Sequence, residues 1–200
     1  MYALSFKFHS REEVERFLTF LQRHLKTNYL VDTKLFHVYV QLEGGDKELK
    51  DAVALVKRLA GLARGGKARR QIPLLVLFKD AELARPVPPE VVADALTLVG
   101  YPSLVRGGVL ETDANYEEVL SVVERLSRLY EEAERLPLTP QAKRIVVAYA
   151  FCAKKPLDAS VEDLAKAGLL NKGSVLSLRL PPEEARRRLL SLNTAGKSAT

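Results

Sequence analysis

Four cations crowd the stretch LARGGKARRQIP at 62–73: Arg64, Lys67, Arg69 and Arg70, interrupted by Gly65 and Gly66. A guanidinium offers a planar fork of donors that grips two phosphate oxygens at once, and an ammonium adds a compact point charge. Glycines let a backbone approach a ligand closely, and they equally permit a plain turn. The stretch is therefore a candidate for binding an anion, with a solvated linker as the alternative. Lys57 and Arg58 precede it, Arg186, Arg187 and Arg188 form a second basic run, and Lys154 and Lys155 a third. Consecutive arginines fan out around a helix, so one of the run, taken as Arg187, faces solvent.

A different chemistry is offered by KLFHVYVQL at 34–42. Strand alternation puts Phe36, Val38 and Val40 on one face and His37, Tyr39 and Gln41 on the other. If the second face is open, His37 and Tyr39 can stack on unpaired bases. A face covered by the rest of the chain or by a partner is the competing reading.

Catalytic and metal chemistry find less support. Cys152 has no histidine within 100 residues of sequence, and a nucleophilic thiolate needs a base and an electropositive setting. His9, His24 and His37 lie on separate elements, and neither His-x-x-x-His nor Cys-x-x-Cys occurs, so no metal or other cofactor is expected. The Gly196-Lys197-Ser198 ending resembles a phosphate loop, but Ser191 stands where the first glycine is required. Neither a GxxG loop after a basic helix start nor an RRM aromatic strand motif is present. Glu111 and Asp113 are the carboxylates left for an enzyme, and a helix cap explains Asp113 more economically.

These residues must be carried by ordered elements. YALSFKFH alternates as a half-buried strand. Ser10 with Glu13 makes a capping box, and the helix behind it carries Val14, Phe17, Leu18, Leu21 and Leu25 on one stripe. Two strands follow around a turn near Asp32 to Lys34, and Asp46 can cap a helix with Leu49, Val53, Val56, Leu59 and Leu62 inside. The order is β-α-β-β-α. It then returns: IPLLVLF reads as a strand, Pro88 and Pro89 start a helix ended by Gly100, SLVRGGVLET is a hairpin at Gly107-Gly108, and Asn115 with Glu118 caps a last helix. At an offset of 67 residues Val56 falls on Val123 and Leu59 on Leu126. The fold class expected is α+β: tandem β-α-β-β-α units, ferredoxin-like or KH-like, then a small mostly helical module. Boundaries fall at 1–66, 67–136 and 137–192, with a flexible tail at 193–200. The first strand of the second unit can also complete a ferredoxin-like sheet for the first. In the last module, Ser160 with Asp163 is expected to cap a short helix and SVLSLRL to form a strand; a winged-helix variant is one arrangement open to it, although short helices joined by a turn are common to many folds.

Composition narrows the class. The net charge of +6 is unevenly spread: residues 1–70 hold 14 Lys/Arg against 8 Asp/Glu, 71–135 hold 6 against 12, and 136–200 hold 11 against 5. An acidic middle between basic ends implies either internal complementarity or a basic face for phosphate. Asn and Gln number only eight together, and Arg at 17 exceeds Lys at 14, a mix that suggests a heat-adapted source. No apolar run is long enough to span a membrane, no signal peptide is recognisable, and one cysteine forms no internal disulfide, so a cytoplasmic setting is expected.

The stretches FKFHSREEVERFL through GGDKEL, with LVGYPSLVRGGVLETDANYEEV in the second half, resemble a family of conserved archaeal proteins of unknown function over most of residues 1–170. That resemblance implies an archaeal, cytosolic setting and carries over no catalytic residues. The function expected is non-catalytic RNA binding, within a ribonucleoprotein or a translation-associated assembly that supplies protein partners. Lys57, Arg64, Lys67, Arg69, Arg70 and Arg187 would meet phosphate, and His37 and Tyr39 would meet bases. A protein-interaction scaffold without nucleic acid is the alternative.

Overall fold

The computed structural model describes residues 1–65 and 69–196 and is an α+β fold. β1 (Tyr2–Lys7), β2 (Asn28–Lys34) and β3 (His37–Glu43) form an antiparallel sheet ordered β1-β3-β2. Its inner face carries Phe6, Val38, Val40 and Leu42, all buried. Helix α1 (Arg11–His24) buries Val14, Phe17 and Leu21 against that face, and the Phe6 and Phe17 rings meet edge-on 5.2 Å apart. The Ser10 hydroxyl accepts the Glu13 amide as the capping pattern requires, but the Glu13 carboxylate reaches back to the His9 amide rather than to Ser10.

The hairpin turns later than its polar residues suggest. Thr33 and Lys34 still pair with Val38 and His37, and the turn is Leu35-Phe36, with Leu35 at φ 53°. Asp32 and Lys34 simply continue the strand on its outer face. Helix α2 (Asp46–Ala63) is capped by Gly45 with no side-chain bond, so Asp46 is its first residue and acts through the helix dipole. Val56, Leu59 and Leu62 are buried, as their spacing demands.

The second sheet repeats the strand order. β4 (Arg70–Pro73), β5 (Ser103–Arg106) and β6 (Val109–Thr112) are antiparallel and ordered β4-β6-β5. Since β4 pairs with β6, it does not complete the first sheet. The run IPLLVLF is not one strand: after Pro73 the chain becomes helix α3 (Leu74–Asp80). The hairpin sets this limit. Its turn is Gly107-Gly108, at φ 56° and 74°, and the Leu74 amide bonds to the Gly108 carbonyl, beyond which β4 has no partner residues. α4 (Pro89–Leu98) ends where Gly100 takes φ 107°, and α5 (Tyr116–Glu132) opens with a full capping box between Asn115 and Glu118. Val123 and Leu126 of α5 are buried like Val56 and Leu59 of α2.

After a short 3-10 turn (Ala133–Arg135) come α6 (Pro140–Ala153), α7 (Leu157–Lys166), β7 (Leu170–Asn171), β8 (Ser177–Leu178) and α8 (Pro182–Gly196). α7 begins after Pro156, so Ser160 is internal and its hydroxyl bonds to the Pro156 carbonyl instead of capping. SVLSLRL yields only the two-residue β8. The tail expected to be loose from 193 is helical to Gly196. The buried side chains form one continuous apolar cluster spanning both sheets and the last module. Among the described residues no helix is long and apolar enough to cross a membrane.

Candidate nucleic-acid interface

Lys57, Gly61 and Arg64 stand one helical stripe apart on the outer side of α2, with Arg58 beside them. Packing of α2 against the first sheet brings this stripe beside His9, just after β1, and beside Arg69 and Arg70 at the entry to β4. Together they line a cavity of about 560 Å³ on the seam between the two sheets, and among the described residues no carboxylate lines it.

Backbone carbonyls anchor two of the guanidiniums. Arg64 donates to the Lys7 carbonyl at 3.2 Å and lies 5.6 Å over the Phe8 ring. Arg70 donates to the carbonyls of Asp113 and Ala114, each at 3.2 Å. A carbonyl carries no net charge, so each of these contacts orients a guanidinium without neutralising it by itself. Arg69 lies 3.8 Å from the Glu111 carboxylate. Lys57 and Arg58 are exposed and have no ion pair among the described residues. Glu13 braces the segment from behind, accepting the amides of His9 and Gly65 at 2.8 Å each. Burial works to raise its pKa, but those two amides and the nearby His9 ring outweigh it and hold the carboxyl below its ordinary value.

The outer face of the first sheet is open and begins at the same place. Lys7, His37 and Lys34 lie side by side across β1, β3 and β2, and the next row is Ser5, Tyr39 and Asp32. Tyr39 is 43% exposed, with small Ser5 next to it. Lys7, whose carbonyl anchors Arg64, joins this face to the cavity.

A family model described as "uncharacterized protein conserved in archaea (DUF2067)" matches residues 6–187. The chain belongs to this archaeal family. No curated protein and no solved structure gave a significant match.

Of the residues singled out from sequence, Lys57, Arg64, Arg69 and Arg70 converge, and His37 and Tyr39 lie on the adjoining open face. Lys67 and Gly66 lie outside the described residues. Gly65 has no positive φ, and a Cβ there would make only ordinary contact, so its backbone does not require glycine. Arg187 is not brought in: it is exposed on α8, which packs on α4 and α6, while its neighbour Arg186 pairs with Asp94 at 2.6 Å. Lys155 is tied to Asp163 at 2.6 Å. Asp113 is not a cap, since Asn115 takes that role, and the Glu111 carboxylate faces Arg69. The Cys152 thiol faces the Leu98 carbonyl in a half-buried position. The acidic middle serves in part as internal complement: Glu117 pairs with Arg16, Asp80 with Arg23, and Asp94 with Arg186. His9 was not legible as a site residue, because only the packing of α2 against the first sheet brings the end of β1 to the cavity. Arg58 was legible, one position from Lys57 on the same helix.

Proposed function

We propose that the protein binds RNA without catalysing a reaction on it, as a component of a ribonucleoprotein or translation-associated assembly. The observation that carries this reading is the convergence of Lys57, Arg58, Arg64, Arg69 and Arg70 around one cavity, with no carboxylate among the described residues that line it. Phosphate contacts supply most sequence-independent affinity, and unpaired bases stack on aromatic faces. The cavity suits the first role, and Tyr39 with His37 on the adjoining open sheet suits the second.

We read the two sheets as a tandem of related units. The strand orders β1-β3-β2 and β4-β6-β5 agree, and the buried pairs Val56/Val123 and Leu59/Leu126 recur at one offset. The first unit keeps the β-α-β-β-α order of a ferredoxin-like unit short of its last strand. The extra α3 makes the second more KH-like, though no GxxG lies between α3 and α4. In the last module the outward residues of α7 include Asp158 and Glu162, which disfavours that helix as a phosphate reader.

Ultraviolet crosslinking of the purified protein to a 4-thiouridine single-stranded RNA, followed by peptide mapping, tests the proposal. Crosslinks are expected within 34–41 and 57–71. Failure to crosslink, or crosslinks confined to α7 and α8, would refute it. One observation favours a protein-interaction role instead: the hairpin tip exposes Leu35 (86%) and Phe36 (44%), with Leu30 (63%) on β2. Native mass spectrometry that retains a protein partner and no RNA would decide for that reading.

A further inference from the structure

A second cavity of about 640 Å³ lies across Arg58 from the first, and the Arg58 side chain lines both. The two follow one seam: Arg70 and Gln71 of β4 face the first cavity, and Pro73, three residues on, faces the second. The walls change character along that line. The first cavity is cationic, whereas Leu55, Pro73, Leu75 and Val76 give the second an apolar floor, with Lys26 and Lys79 at its rim. Leu75 is 88% exposed on α3, although its neighbours Val76 and Leu77 are buried. A large aliphatic side chain held in water beside a cationic trough is suited to cover an apolar ligand face. One carboxylate also lines the cavity: Asp51, exposed on α2 one turn before Leu55, has no ion pair among the described residues.

Charge followed by an apolar floor is the chemistry of a nucleotide strand, phosphate beside base. We propose that the two cavities form one groove for single-stranded RNA. Phosphates lie over Lys57, Arg58, Arg64 and Arg69, and an unpaired base is lowered onto Leu55, Leu75 and Val76. A duplex keeps its base faces stacked and cannot fill this floor. Asp51 selects the base. A carboxylate only accepts, and guanine presents adjacent N1–H and N2–H donors on one edge, where adenine and uracil each present fewer. This inference rests on the RNA-binding reading above and names the form of RNA and the base that the seam takes.

The test is fluorescence anisotropy with three hexamers: uridylates carrying one central guanosine, uridylates carrying one central adenosine, and a backbone of abasic ribose phosphates. The native protein is expected to bind the guanosine hexamer about tenfold more tightly than the abasic one, the return on covering one apolar side chain. Leu75→Ser, an uncharged change at an exposed position whose fold is checked by circular dichroism, removes that advantage and leaves the salt dependence unchanged. Asp51→Ala abolishes the preference for guanosine over adenosine. If Leu75→Ser binds the guanosine hexamer as tightly as the native protein, with salt-dependent binding intact, the base pocket is overturned and the cationic seam survives. Equal binding of the guanosine and adenosine hexamers by the native protein overturns the role of Asp51. Absence of salt-dependent binding to every hexamer overturns the RNA-binding reading and this proposal with it.

Discussion

Replacing Asp80 by Ala should loosen the seam on which the cations are assembled. Asp80 ends α3, and its side chain is only 2% exposed. One oxygen accepts the Tyr116 hydroxyl at 2.7 Å and meets His24 Nε2 at 3.2 Å, while the other accepts from Arg23 at 3.3 Å. The carboxylate therefore joins α1 to α3 and α5. Burial first, and then the Asp80 carboxylate, push the Tyr116 phenol far above its ordinary value, so it stays a donor at every working pH. Removing one partner of such a buried network costs about 3–5 kcal/mol, because the remaining polar groups lose their compensation without regaining water. For a chain of this size each kcal/mol moves Tm by about 2–4 °C, so Asp80→Ala should melt roughly 6–20 °C lower. Tyr116→Phe alone removes one charge-assisted bond and should cost about 1.5–3 kcal/mol. In the Asp80→Ala background the same change should cost at least about 1 kcal/mol less, the signature of residues in direct contact. Urea unfolding of the native protein, both single variants and the double variant, followed by circular dichroism, gives all four free energies. Strict additivity, or an Asp80→Ala cost below about 1 kcal/mol, would refute the claim that this network holds α1, α3 and α5 together.

Two further outcomes follow from the local geometry. Glu13 has a folded-state pKa below its unfolded value, so its contribution is fully present above the ordinary carboxylate range and is lost as pH falls through the depressed value. Glu13→Gln should therefore lower Tm at pH 7 and leave it nearly unchanged near pH 2, which melts at the two pH values will check. Asn115→Ala breaks the reciprocal cap with Glu118 at the start of α5 and should cost about 1 kcal/mol, read by urea unfolding.

Local signals made several elements legible before any coordinates. Asn115 with Glu118 and Gly107-Gly108 each specify their geometry within four residues, and both occur as read. IPLLVLF misled because a short apolar run carries no period of its own. The length of β4 was set by a hairpin more than 30 residues away. The cavity was legible in outline because most of its cations come from one helix and the strand that follows it. His9 and the apolar second cavity were not, since tertiary packing alone brings β1, α2 and α3 together. Arg187 looked equivalent to the seam arginines by composition, but α8 packs elsewhere.

On the RNA-binding proposal, the cations of the seam hold phosphates together. Lys57, Arg58, Arg64 and Arg69 are all exposed, so changing all four to Ala should spare the core. The decisive measurement is single-stranded RNA affinity against salt concentration for the native protein and this variant. If all four meet phosphates, the slope of log affinity against log salt should flatten by about 3. An unchanged slope would contradict the account.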